Sequence, residues 1–187
     1  MKFRMIAMAF LLGMSSQGYG QLLDINLSDT SAQFKYGSRV GGSVYGRTET
    51  SYGILFNDED QIVVDVSLQV IDVAGSKAPG LEVGAGPKLY YVDADSRDAA
   101  AIGLGGLLRY KWPALQRVLF MAHLYYAPGI VSFMDAENML EYSAQIGYEL
   151  LPTADVYIGY RKIKVEFGDN YTENVDSSTI FGLRFSF

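Results

Sequence analysis

One histidine, His123, stands in a stretch, Val118 to Tyr126, where apolar and polar residues alternate. Acyl-transfer chemistry would need a nucleophile and an acid within hydrogen-bond reach of that imidazole. Two positions on stands Tyr125, not a serine, and no spacing fixes Ser132, Glu137 or Glu141 around the ring. The expectation is a hydrogen-bonded histidine inside a barrel and no catalytic residue. Asp93-Ala94-Asp95-Ser96-Arg97-Asp98 opens as a calcium loop does. The glycine due at the sixth position is Asp98, and the glutamate due at the twelfth is Leu104, which leaves a solvated loop. Gly84-Ala85-Gly86-Pro87-Lys88 lacks the spacing of a phosphate loop, and its glycines read as packing positions in a strand. Asn170-Tyr171-Thr172 matches a glycosylation acceptor, a three-residue match that assigns no use by itself. With no cysteine in the chain, there is no thiolate metal site, disulfide or lipidated cysteine. No metal and no cofactor is expected.

The charges carry more physical content. In a strand, side chains alternate between two faces. Parity sends seven acids to one face: Asp24, Glu49, Asp65, Glu82, Glu141, Glu149 and Asp155. The same face takes eight bases: Lys35, Arg47, Lys88, Arg109, Lys111, Arg117, Arg161 and Arg184. A ring of one sign would mark a selectivity filter. Near-balance predicts a cross-linked lumen, because an unpaired buried charge is costly. The network expected to close the bore is Glu82, Lys88, Arg109, Arg117, Glu141, Glu149, Asp155, Arg161 and Arg184, and truncating Arg161 and Glu141 together is expected to open a leak.

The elements that must hold these charges read as strands almost throughout. The end of the chain, Ser178 to Phe187, sets Phe187, Phe185, Leu183, Phe181 and Thr179 against Ser186, Arg184, Gly182, Ile180 and Ser178. An edge so apolar, ending on an aromatic, would aggregate in water but suits a lipid-facing closing strand. Similar runs precede it, separated by turn residues such as Asn57 to Asp60, Gly75 to Gly80 and Leu151-Pro152-Thr153, with a corner at Gly41-Gly42 and longer loops at Pro128 to Asn138 and Gly168 to Asp176. Pro87 falls on the apolar face and predicts a bulge or distortion. Ten runs give an all-β fold, an antiparallel transmembrane β-barrel of ten strands, or eight if the two short N-terminal runs stay outside it. A lipocalin-like soluble barrel alternates too, with its greasy face inward. Aromatics at the strand ends (Tyr110, Trp112 and Tyr148 at one rim, Tyr126 and Tyr160 near the other), short turns facing longer loops, and the charged opposite face all favour the membrane barrel.

Lys2 and Arg4, the apolar run Met5 to Met14, and Gly18 and Gly20 make a secretory signal over residues 1–20, with the barrel at 21–187. The chain has 187 residues, 14 tyrosines, 20 glycines and a net charge of −6, which gives no reason to expect nucleic-acid binding.

The motifs L-D-I-N-L-S, D-T-S-A-Q-F-K-Y-G, A-I-G-L-G-G-L-L-R-Y, L-Y-Y-A-P, E-Y-S-A-Q-I-G-Y-E-L-L-P and V-Y-I-G-Y-R resemble those of the YfaZ-like family of small bacterial outer-membrane proteins, over nearly the whole mature chain. The resemblance implies the fold and the outer membrane of a Gram-negative bacterium, and brings no activity with it. A closing strand of Phe181, Leu183, Phe185 and Phe187 also resembles the signal read by the barrel assembly machinery. The expected partners are that machinery, outer-membrane lipids and lipopolysaccharide. A structural or surface role comes first, a narrow channel for ions or small solutes second, and a lipid hydrolase last.

Overall fold

The computed structural model describes residues 20–44, 46–75, 78–94, 97–168 and 171–187. The signal segment up to residue 19, Asp95 and Ser96 of the calcium-like loop, and Asn170 of the acceptor match lie outside the described residues. The strands are β1 (Gln21–Leu27), β2 (Ser31–Ser43), β3 (Gly46–Asn57), β4 (Ile62–Val73), β5 (Leu81–Ala94), β6 (Arg97–Lys111), β7 (Val118–Ala127), a short β8 (Ser132–Met134), β9 (Ala136–Leu151), β10 (Ala154–Phe167) and β11 (Tyr171–Ser186). Each pairs antiparallel with its neighbour, β1 with β11 and β5 with β6 included, so ten strands close into a ring. The three-residue β8 adds only to the upper part of β6. Closure leaves the ring without free edges. It extends to the last residue, where Gln21 and Phe187 exchange backbone hydrogen bonds of 2.7 and 3.0 Å.

Which face is outward follows from exposure. Leu104 is 69 % exposed, Phe181 61 % and Ile146 55 %, whereas Arg161 and Glu141 are each 1 % exposed. Apolar side chains stand outside and charged ones inside, the reverse of a soluble barrel and the arrangement of one in lipid. The soluble alternative is thereby excluded. Tyr110 and Trp112 lie together, ring centroids 5.9 Å apart, at the end of the barrel that carries both termini. Tyr148 stands exposed near that same end of β9.

On the upper strands the phase reverses. The outward side of β10 runs Val156, Ile158, Tyr160 and then Lys162, Lys164, Glu166, while its inward side runs Asp155, Tyr157, Arg161 and then Ile163, Val165, Phe167. Above Tyr160 the barrel is therefore polar outside and apolar inside, as a water-soluble domain is. The same switch puts Asp93 outside and Val92 inside on β5, and Asn138 outside and Met139 inside on β9. The inward apolar groups join into one buried cluster, with Leu55, Val63, Val92, Ile163, Val165, Phe167 and Val175 each no more than 2 % exposed. This core occupies the end of the lumen away from the termini.

Three expectations need correction. The corner at Gly41-Gly42 is instead part of β2, which passes through a register shift between Arg39 and Gly41 and continues to Ser43. Glycine tolerates the kink of such a bulge. The loop expected over Gly168 to Asp176 is mostly strand, because β11 begins at Tyr171 and carries its own register shift opposite Ile163 and Lys164. Pro87 brings the expected distortion without inserting a residue: the pairings opposite Pro87 and Gly86 are missing, while Ser67–Lys88 and Val70–Ala85 keep the same register on either side. Short turns do not face long loops consistently, since 28–30 and 58–61 lie at the far end while 74–80 and 112–117 lie at the terminal end.

Candidate functional site

The interior is tiered along the strands. Nearest the termini, Arg47 grips Glu82 with both terminal nitrogens at 2.8 and 2.6 Å and reaches Glu49 through Nε at 2.6 Å. Arg109 joins from β6, 3.0 Å from Glu49 and 3.9 Å from Glu82. Lys111 and Glu149 pair at 2.7 Å on the same rim, in a more exposed setting. Deeper, Arg184 donates to Asp24 at 2.8 to 2.9 Å and to Gln145 at 3.0 Å, its guanidinium 4.8 Å from the Tyr157 ring centroid. Tyr157 donates in turn to Asp24 at 2.5 Å. That ring lies where a side chain at residue 182 would be: a Cβ on Gly182 would sit 2.1 Å from Tyr157 Cζ. Tyr125 lies similarly over Gly105, 2.5 Å from an added Cβ.

In the middle, Glu141 accepts from Lys88 Nζ at 2.7 Å and Tyr90 at 2.6 Å, and its other oxygen lies 3.0 Å from His123 Nε2. Asp65 is 3.1 Å from Lys88, and Lys35 approaches Glu141 from across the bore at 3.9 Å. Highest of the charged groups, Arg161 forms an ion pair with Asp176 through Nε and donates to Asn26 at 2.6 Å, Gln33 at 2.5 Å and Ser31 at 2.9 Å. A guanidinium in a low-dielectric interior needs this many acceptors, and it has them.

Of the nine residues expected to form the network, Glu82, Lys88, Arg109, Glu141, Arg161 and Arg184 lie within these clusters, with Glu149 at the rim. Arg117 is not among them: it is exposed in the 112–117 turn before β7, where parity has no strand to act on. Asp155 has no ion pair among the described residues, because its neighbour Arg184 turns to Asp24. Arg161 and Glu141 belong to separate clusters. Asp176 was missed because the sequence reading placed it in the 168–176 loop; it continues the inward series of Ser178, Ile180 and Arg184, and it is Val175 beside it, buried through the register shift, that breaks the alternation.

His123 has an unforeseen neighbour. Ser143 is its direct cross-strand partner, with Oγ 3.4 Å from Nδ1. Glu141 already takes Lys88 and Tyr90, and the serine contact is long, so the trio reads as lumen cross-linking. Outside, Tyr126 donates to Asn138 at 3.2 Å, and the Tyr160 and Ser177 hydroxyls meet at 2.8 Å, just below the lysines of β10. Phe181, Leu183 and Phe185 face outward and are exposed on β11, and Phe187, exposed as well, follows its last residue.

Two cavities open into the barrel from its two ends, and the first reaches as far as Lys88, His123 and Asn26. One, of about 370 Å³, opens at the terminal end and is lined by Lys35, Arg47, Arg109 and Arg184 among others. The second, of about 420 Å³, lies at the far rim between Glu59, Arg97, Phe167 and Tyr171. No residue lines both.

A closed antiparallel ring with an apolar waist and a charged interior defines an outer-membrane-type β-barrel. The chain belongs to the YfaZ precursor family, whose pattern matches residues 1–187. No curated protein sequence matches it. Among solved structures, a KdgM porin overlaps 90 % of this chain and 99 % of its own at 12 % identity and a TM-score of 0.48. The outer membrane channel DcaP of Acinetobacter baumannii overlaps 92 % of this chain and 55 % of its own at 15 % identity and a TM-score of 0.44. A bacterial polysaccharide outer membrane secretin overlaps 84 % and 56 % at 17 % identity and a TM-score of 0.47.

Proposed function

We propose that this protein is a non-conducting, non-catalytic barrel of the outer membrane, whose upper strands project above the lipid and give it a structural or surface role. The observation that carries this reading is the buried apolar cluster around Phe167, Val165 and Leu55 at the far end of the lumen. An ion crossing the barrel would have to shed its water among groups that offer it no oxygen. Below the cluster, every arginine on the narrow path is already held by a carboxylate, so the salt bridges and the dry core close the bore together. The end carrying both termini faces the periplasm, as in bacterial barrels with an even strand count. Lipopolysaccharide and outer-membrane lipids are the neighbours of the apolar waist, and the assembly machinery reads the closing strand.

Purified protein in a planar bilayer tests this directly. The expected record is a flat baseline at moderate voltage, with no steady unitary current. Phe167→Ala combined with Val165→Ala removes the dry core and is expected to produce leak currents. A large, stable, ion-selective current from the unaltered protein would make it a channel instead.

A further inference from the structure

We propose that the cavity at the terminal end is a binding cup for a small organic anion entering from the periplasm. The inference goes beyond the closed-barrel reading, which conductance tests separately. Six cationic side chains line the cavity: Lys35, Arg39, Arg47, Lys88, Arg109 and Arg184. Only two carboxylates, Asp24 and Glu49, share the wall. Of the other carboxylates that balance these cations, Asp65 and Glu141 are buried behind it, and Glu82 stands partly exposed beside Arg47, which still leaves the cations in excess. The lumen is thus near neutral in sum, while the surface a solute meets is positive, and a concave low-dielectric wall focuses that field.

Two of the six have donors to spare. Lys35 makes one loose ionic contact, the 3.9 Å approach to Glu141, and has no hydrogen bond. Arg39, exposed at the mouth, has no side-chain partner among the described residues. Between them the wall presents hydroxyls and amides, from Ser51, Ser67 and Gln69, beside the apolar Leu107 and Met121. A volume of about 370 Å³ lies at the lower end of small-molecule sites, which run to about 300–1,000 Å³. Charge, size and lining together fit an oxygen-rich carboxylate or phosphate ester. In the proposed pose the anionic group lies against Lys35, and Arg39 stands at the entrance, where it guides the solute inward.

Detergent-purified full-length barrel titrated with citrate and with glucose 6-phosphate in a calorimeter, at fixed ionic strength, tests the assignment and separates the two anion types. Saturable one-to-one binding of at least one is expected, with none for glucose or spermidine. Lys35→Met should weaken binding at least tenfold, and Lys162→Gln on the outer surface should leave it unchanged. Should Lys35→Met fail to fold, Arg39→Gln at the exposed mouth should still lower affinity several-fold and slow association. The assignment is overturned by absence of saturable binding to both anions, by equal binding of glucose, or by affinity indifferent to whichever of the two variants folds.

Discussion

Arg161 is the residue on which the interior depends most. It is 1 % exposed and bound to Asp176, Asn26, Gln33 and Ser31 from three other strands. Removing one partner of a buried pair leaves the other charge uncompensated, at about 3–5 kcal/mol. Arg161→Leu should therefore lower the free energy of unfolding, read from urea titration in detergent, by about that cost. Arg161→Leu with Asp176→Leu should recover most of it, because no lone charge remains. If the double variant is no more stable than the single one, the pair is not the source of the stabilisation. Arg161 was legible in the sequence as an inward base. Its partner was not, because Asp176 was taken as the end of a loop, although it stands two residues before Ser178 on the inward side of β11. Counting by twos placed Arg117 in the bore, as it cannot tell the last residue of a turn from the first of a strand.

At the scale of the element, β11 unites three duties. Its outer face is the aromatic run of Phe181, Phe185 and Phe187; its inner face carries Arg184 and the bare Gly182 on which Tyr157 rests; and its last residues zip to β1. Phe187→Asp should reduce the heat-modifiable, folded fraction in membranes well below that of Ser186→Asp. Equal folded fractions would remove the assembly role from this position. Gly182→Val should displace the Tyr157 ring and cut its bond to Asp24, destabilising the barrel by about 1–3 kcal/mol. Thermal unfolding followed by near-ultraviolet dichroism would register both effects. The alternation of β11 was plain in the sequence, and so was its closing role. The glycine's purpose became visible only with the ring above it, since an empty position reveals its use through a neighbour on another strand.

At the scale of the whole molecule, we read the reversal of phase between Tyr160 and Lys162 as the place where lipid gives way to water. The chain has no cysteine, so single replacements report position cleanly. On intact cells, a membrane-impermeant maleimide should label Lys162→Cys, Lys164→Cys and Glu166→Cys, and should leave Val156→Cys and Ile158→Cys unlabelled. Labelling of all five, or of none, would refute the boundary or the orientation. The run Lys162-Ile163-Lys164-Val165-Glu166-Phe167 contains this signal openly, as alternation continued in the opposite sense. Strand count, closure and the outward face were legible for the same reason, because each depends on period two alone. The tiers of the lumen were not, since they depend on which strands stand across from one another. The filled upper bore has one further consequence, an electrical one. In the closed barrel proposed above, water and mobile ions would enter from the terminal side as far as the charged tiers and hold that stretch near the potential of its own compartment. Any voltage across the membrane then falls over the dry segment from Arg161 to Phe167, roughly 20 Å of strand at about 3.3 Å per residue. At the floor of that segment stands an ion pair without net charge, the arrangement on which a concentrated field exerts the least pull.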